Sequence, residues 1–260
     1  QNSLLNAGDV VSVTATFSEA VNVGAGNPTL TLVVGSSNRT ATYASGSGSD
    51  DLVFRYTIQS TGTSGENDSN GISIGANAIA LPNNSTIRDP ALNNATLTHD
   101  FVDNNSSYKV DTILPTIDNV SITSAEGIQN NFVNTGDNVS VTATFSEVVN
   151  VNTTNGTPII TLAVGSDNRT ASYASGDNST DLVFRYTIQS GYNDSNGISI
   201  RADALDNNSS TIRDRAGNIA TDITHSAVDN NSSYKVDNTP PTIDNVSISS
   251  AEGIQNNLLN

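Results

Sequence analysis

The stretch SVTATFSE, at residues 12–19 and again at 140–147, decides the fold that this sequence predicts. In the later stretch Val141, Ala143 and Phe145 alternate with serine and threonine. Because successive side chains of an extended strand point to opposite faces, this alternation puts the apolar residues on one face and the polar residues on the other. We therefore expect a β-strand with one face against a core.

The same stretch belongs to a repeat that covers most of the chain. DLVFRYTIQS at 51–60 returns at 181–190, and DNNSSYKVD at 103–111 returns at 229–237. The segments between them differ mainly in loop length, since STGTSGENDSN in one copy corresponds to SGYNDSN in the other. Recurrence of this kind indicates one structural unit built twice.

Other segments of each copy also read as short strands bounded by Gly, Asn, Asp and Ser. In the later copy further strands are expected at 116–123, 158–164, 168–174, 182–188, 197–201, 210–213 and 222–236. No segment keeps a 3.6-residue period with helix caps, so helix is expected to be minor. About seven to nine short strands per copy predict an all-β fold of antiparallel sandwiches with Greek-key connections.

The phase of the repeat sets the expected domain boundaries. PTIDNVSI stands at 115–122 and again at 241–248, but not ahead of the earlier copy. We expect 1–111, the first repeat, to lack its own first strand, 112–237, the second repeat, to be complete, and 238–260 to begin a following repeat. Two accounts fit this phase: a window on a longer tandem array, or a subunit that donates its last strand to the next subunit.

Composition excludes several classes of function. The chain has 26 acidic and 10 basic residues and a net charge of −16, so nucleic acid and anionic membrane surfaces are not expected partners. It has no Cys, which excludes disulfides, thiol catalysis and thiolate metal sites. Its two histidines, His99 and His225, occupy equivalent positions without a nucleophile motif, so we expect structural roles for them and no enzyme activity.

Acidic side chains near the expected loops predict a calcium site. Calcium takes six to eight oxygen ligands from flexible loops, and two carboxylates ~4 Å apart repel by roughly 4 kcal/mol at an effective dielectric near 20. If strands run alternately between two poles, the loop after Glu147, the turn around Asp214 and the connector carrying Asp111 and Asp118 meet at one pole. The full set of candidate ligands is Glu19, Asp68, Asp89, Asp111, Asp118, Glu147, Asp194, Asp214 and Asp237.

An ordinary structural role competes with calcium for several of these residues. Asp in a turn usually accepts hydrogen bonds from the backbone nearby. NDSNG, which contains Asp68 or Asp194, has only a fragment of the EF-hand spacing and by itself indicates a turn. Lys109 and Lys235, just before the two proline-containing connectors, are alternative partners for the junction acids.

Taken in order, these segments resemble the bacterial Ig-like repeats of very large surface adhesins. The resemblance rests on TFSE, a TLxVG hairpin into RTAxYxSG, DLVFRYTIQ, NDSNGISI, STIRDxAGN and a closing YKVD before proline, and it covers nearly the whole chain twice. It implies two tandem Ig-like sandwiches end to end, secreted to the cell surface and rigidified by calcium. IRDPALN at 87–93 departs from IRDRAGN at 212–218, which puts the role of that turn's glycine in question.

The resemblance favours a non-catalytic extender that lifts an adhesive tip away from the cell, with neighbouring repeats as its partners. The alternative is a self-assembling extracellular filament, in which 242–260 completes the first repeat of the next molecule by strand complementation. A module that binds glycans or ice is a third class. The absence of Trp and the shortness of SVTATFS as a threonine array count against it.

Overall fold

The computed structural model describes residues 3–60 and 66–249 of the 260-residue chain. The described residues form eighteen strands and one short 3-10 turn at Pro82–Asn84. Among these described strands, all pairs are antiparallel except two short ones. The predicted all-β class is confirmed, and the antiparallel sheets are consistent with a sandwich.

The first repeat contains two sheets. Its strands are β1 (Leu4–Leu5), β2 (Val10–Gly24), β3 (Thr29–Val34), β4 (Ser37–Ser45), β5 (Ser49–Thr57), β6 (Asn67–Asp68), β7 (Ile79–Ala80), β8 (Thr86–Arg88) and β9 (Lys109–Asp111). Six strands form a sheet in the order β7-β3-β4-β5-β2-β8, and three form a sheet in the order β1-β9-β6.

The second repeat reproduces most of this arrangement, adds one strand, and has an isolated bridge between Asp194 and Val236 in place of β6. Its strands are β10 (Ile117–Glu126), β11 (Phe132–Val133), β12 (Asn138–Asn152), β13 (Ile159–Val164), β14 (Asp167–Ser175), β15 (Ser179–Thr187), β16 (Ser199–Asp206), β17 (Thr211–Arg213) and β18 (Lys235–Val236). The larger sheet has the order β10-β12-β15-β14-β13-β16, with β17 also paired to β12, and β11 pairs with β18. The added strand is β10.

Local chemistry explains the hairpin that joins β3 to β4. Val34 pairs with Ser37, which leaves a two-residue turn that begins at Gly35. Gly35 has a φ of +59°, and a Cβ there would lie 2.4 Å from the backbone oxygen of Asn67. Two-residue hairpins need such left-handed backbone angles, so only glycine fits here without strain. Gly165 fills the equivalent position between β13 and β14.

Buried apolar side chains fall into two clusters, one in each repeat. In the first, Tyr43 packs edge to face on Phe54 with ring centroids 6.3 Å apart, and in the second, Tyr173 packs on Phe184 at 6.1 Å. These geometries are favourable for aromatic pairs. The alternating strands thus place their apolar faces inward, as the period-two pattern predicts. The described residues include no helix long and apolar enough to span a membrane.

The expected strand at 222–236 is wrong for most of its length. Only Lys235–Val236 is a strand, and Val228 makes an isolated bridge to Ile200. Polar side chains in this segment bond to the backbone nearby: Asp222 accepts from the Thr224 amide at 3.1 Å. Such local bonds compete with ladder formation, which the apolar pattern alone does not reveal.

Candidate metal centre

Three carboxylates from distant parts of the sequence meet between the two repeats. Asp111 ends β9, Glu147 lies in β12, and Asp214 follows β17. One oxygen from each lies within 4.8 Å of the others. We call these residues the acidic triad. The structure thus brings together three of the four acids that strand polarity placed at this pole, whereas Asp118 is exposed on β10 and not a member.

A tight turn holds Asp214 in a buried position. Its Oδ1 accepts from the amides of Gly217 at 2.7 Å and Asn218 at 2.9 Å, and its Oδ2 accepts from Asn218 Nδ2 at 2.7 Å. Gly217 has a φ of +99°, a left-handed conformation that favours glycine. The hydrogen bonds of the turn therefore fix the orientation of one carboxylate of the triad without a bound cation.

Hydrogen bonds between the two repeats cross the junction beside the triad. Asn218 Nδ2 also donates to the backbone oxygen of Asp111 at 2.9 Å. Asn6 of the first repeat donates from Nδ2 to the carbonyl of Ala216 at 2.9 Å. The turn that carries Asp214 is therefore bonded to the first repeat at two places.

The connector itself is bonded beside Glu147. The Ser146 amide donates to the carbonyl of Thr116 at 2.8 Å, and the Thr116 amide donates to Ser146 Oγ at 3.1 Å. The Ile113 amide donates to Asp111 Oδ1 at 3.1 Å. The connector therefore runs along the second repeat with its backbone paired rather than as a free tether.

The triad concentrates negative charge in a partly desolvated place. Burial raises the pKa of Glu147 to about 7, with the charges of Asp111 and Asp214 adding to the effect. Burial also raises the pKa of Asp111, and Asp214 contributes again. Ionising all three groups is costly unless a cation sits among them. Hard oxygen donors of this kind suit Ca²⁺, which would take its remaining ligands from carbonyls and water.

The NDSNG aspartates have a different role. Asp68 Oδ1 accepts from the Gly71 amide at 2.8 Å, and its Oδ2 accepts from the Gly35 amide at 2.8 Å. Asp194 makes the equivalent bonds in the second repeat to Gly197 at 2.9 Å and Gly165 at 2.8 Å. Both carboxylates thus tie a turn to a hairpin through the backbone.

The remaining candidate ligands lie apart from the triad. Asp89 caps the turn equivalent to that of Asp214, accepting from the Asn93 amide at 2.7 Å, and this side-chain and backbone bonding to Asn93 lowers its pKa. Glu19 and Asp237 are exposed. Within 3–60 and 66–249 no other group of three potential ligands lies this close together.

Each histidine ring bonds to the backbone through both nitrogens. Nε2 of His99 accepts from the Ala78 amide at 2.8 Å, and Nε2 of His225 accepts from the Ala204 amide at 2.9 Å. The Nδ1 atoms lie 2.7 and 2.8 Å from the carbonyls of Asp100 and Ser226. Each ring therefore ties two segments together, as expected of a structural histidine.

One buried ionic group escaped the sequence analysis. Glu66 is buried and accepts hydrogen bonds from Arg39 Nε, from Tyr56 Oη and, at 3.0 Å, from the Gln59 amide. Burial and the bond to Glu66 raise the pKa of Tyr56 to about 12. In the second repeat Tyr192 takes the place of Glu66 and stacks under Arg169. Tyr192 is the one tyrosine that has no equivalent tyrosine in the first repeat. This mismatch in sequence was the feature that could have pointed to Glu66.

Comparison with known proteins adds no family assignment to this geometry. A scan against models of protein families finds no match, and a search of the curated proteins finds no similar chain.

Proposed function

We propose that this chain is a non-catalytic extender of a bacterial cell-surface adhesin, built from tandem Ig-like sandwich repeats and rigidified by calcium where the repeats join. The observation that carries the proposal is the acidic triad. Asp111 belongs to the first repeat, while Glu147 and Asp214 belong to the second, so one cation bound by all three couples both repeats. Neighbouring repeats of the same polypeptide are then the natural partners.

The physical reason is the balance of charge at the junction. Without a cation, the three carboxylates repel and favour separation of the repeats, or protonation of Glu147. With a cation, the same carboxylates attract a shared centre, and the bonds from Asn218 and Asn6 add directional restraint. Calcium therefore stiffens the junction between the repeats, a role that requires no turnover and suits an exported protein in a calcium-containing medium.

Differential scanning calorimetry tests the calcium step. We expect calcium chloride to raise the melting temperature of the chain relative to protein in a chelator, because a ligand that binds only the folded state stabilises it. Glu147→Gln should abolish most of that rise. Glu19→Gln, which changes the equivalent position of the first repeat, is the matched control and should keep it. An equal rise in all three proteins, or none in the wild type, contradicts calcium binding at the triad.

A further inference from the structure

Two buried hydrogen-bond donors of the second repeat have no acceptor among the described residues. They are Nε of Arg169, on β14, and the hydroxyl of Tyr186, on β15. Tyr186 belongs to the core of the second repeat and is only 6% exposed. A buried donor without an acceptor costs free energy, so such a pair of donors needs an explanation.

The first repeat shows what the equivalent donors bind. There Arg39 Nε and Tyr56 Oη both donate to the same oxygen, Oε1 of Glu66. The other oxygen of Glu66 accepts from the Gln59 amide at 3.0 Å. The two side-chain donors therefore converge on one point, and a negatively charged acceptor occupies it.

The second repeat keeps these donors and lacks the carboxylate. Arg169, Tyr186 and Gln189 repeat the three donor residues, whereas Tyr192 stands at the position of Glu66. The Tyr192 ring stacks on the guanidinium, with Cζ of Arg169 3.5 Å from the ring centroid. Because the Nε–H bond lies in the guanidinium plane, a ring stacked on the face of that plane gives it no acceptor.

The charge of Arg169 is only partly balanced by protein groups. Asp167 Oδ1 lies 3.6 Å from Nη2 of Arg169, and the Asp167 side chain is 52% exposed. An exposed pair at this distance contributes little, and it leaves Nε without an acceptor.

Tyr186 remains a donor at neutral pH. Burial raises the pKa of its hydroxyl, while the charge of Arg169 and the Gln189 amide oppose that rise. These opposing effects require Arg169 and Gln189 to lie near the hydroxyl, so the second repeat groups its donors as the first repeat does.

We propose that the second repeat binds a small monovalent anion, a halide such as chloride, between Arg169 Nε and the Tyr186 hydroxyl. The ion takes the place that Glu66 Oε1 has in the first repeat and accepts from both donors. Its charge balances the guanidinium, which a water molecule does not do. Because both donor atoms are buried, a single ion reaches them more readily than a side chain of another domain. The site is separate from the acidic triad and does not depend on the proposed calcium function.

Thermal melting of the full chain tests the binding, with chloride replacing gluconate at constant ionic strength and constant calcium. Constant ionic strength separates binding from screening of the net charge of −16. We expect the melting temperature to rise by about 3–6 °C when chloride exceeds its dissociation constant tenfold. The rise should persist in chelator. A wild type whose melting temperature does not respond to chloride overturns the proposal.

Variants locate the response. Tyr192→Glu supplies the carboxylate that the first repeat has, so it should abolish the response to chloride. Tyr186→Phe keeps the ring and removes one donor, so it should weaken chloride binding at least ~10-fold, and it decides the question even if Tyr192→Glu does not fold. Tyr173→Phe is the matched control, since Tyr173 packs on Phe184, and it should respond like the wild type. A wild-type response in Tyr186→Phe contradicts the site.

Bromide identifies the position of the ion. Anomalous diffraction from crystals of the full chain grown in sodium bromide should give a peak in contact with both Arg169 Nε and the Tyr186 hydroxyl. The equivalent place beside Arg39 should give none, because Glu66 fills it. Water alone between Arg169 and Tyr186, or bromide bound only elsewhere, overturns the proposal.

Discussion

Asn218 of the second repeat donates a hydrogen bond from Nδ2 to the backbone oxygen of Asp111, at the end of the first repeat, over 2.9 Å. The same amide group donates to Asp214 Oδ2 at 2.7 Å. One buried side chain therefore joins the last strand of one repeat to a triad carboxylate of the next. The junction is thus held by bonds of defined direction as well as by charge.

Asn218→Ala should destabilise the junction measurably. The substitution leaves the Asp111 carbonyl and Asp214 Oδ2 without this donor, and losing such bonds at a buried site costs about 1–3 kcal/mol. Urea unfolding followed by circular dichroism gives the change in the free energy of unfolding. Asn93→Ala removes the equivalent side chain of the first repeat, where the described bonds stay within the turn. An Asn218→Ala effect no larger than that of Asn93→Ala contradicts a role across the junction.

Glu147 should make calcium-free protein less stable as pH rises. Its pKa is about 7 in the folded chain, above its ordinary value of 4.5. Between these values the folded state binds more protons than the unfolded state, so the free energy of unfolding falls with rising pH. This contribution is fully present below pH 4.5 and lost as pH rises through 7.

The Glu147 prediction is checked by melting the protein in chelator across that pH range. Glu147→Gln should flatten the fall relative to the wild type, because glutamine does not titrate. Glu19→Gln should follow the wild-type curve. A Glu147→Gln curve parallel to the wild type assigns the pH dependence to other groups.

The buried Glu66 network should stabilise the first repeat. Glu66→Gln removes the charge that Arg39 and Tyr56 face, and breaking a buried ionic network with a partly exposed partner should cost about 2–3 kcal/mol. Tyr192→Phe is the comparison, because it keeps the aromatic ring on which Arg169 stacks in the second repeat and should change stability by under about 0.5 kcal/mol. Urea denaturation of both variants measures the difference, and equal small effects contradict a stabilising role for the network.

Replacing Leu92 with glycine should increase the free energy of unfolding. It occupies the place of Gly217 in the equivalent turn and adopts a φ of +71°, and the residue is 72% exposed. A left-handed conformation strains a residue with a Cβ, so Leu92→Gly should raise the free energy of unfolding by about 0.5–1 kcal/mol. Gly217→Ala is the reciprocal change and should lower it. Thermal melts settle the sign, and destabilisation by Leu92→Gly contradicts the strain argument.

The alternation of apolar and polar residues made most of the fold predictable. A strand with one buried face has apolar residues at every second position, and this period of two is visible in the sequence. The pattern at 140–145 became β12, and the same pattern became β2. The prediction of a strand was wrong at 222–234, where polar side chains form hydrogen bonds with the backbone of nearby residues. In that segment, local hydrogen bonds compete with hydrogen bonds between strands. The outcome depends on the tertiary structure around the segment, which the periodicity of the sequence does not reveal.

The acidic triad was predictable in part. Strand polarity places the ends of β9 and β17 at one pole, together with the loop that the sequence predicts after Glu147, so Asp111, Asp214 and Glu147 could be grouped from sequence. The predicted loop is wrong, because β12 continues to Asn152 through a register shift between Thr144 and Val149. Asp118 could not be excluded that way, because its exposed position on β10 depends on strand orientation. Asp68 and Asp194 accept hydrogen bonds from hairpin amides that lie about thirty residues away in the sequence. Only the folded chain reveals this relationship.

The distance between the two repeats, measured by pulsed electron paramagnetic resonance, tests directly whether a cation stiffens their junction. The chain has no Cys, so spin labels can be placed at Thr40→Cys and Thr170→Cys, equivalent exposed positions of the first and second repeats. If calcium bound by the acidic triad stiffens the junction, the distance distribution is narrow in calcium and broadens in chelator, and it is broad in both conditions when Glu147→Gln is added. A distribution that is the same with calcium and with chelator would contradict a cation-stiffened extender.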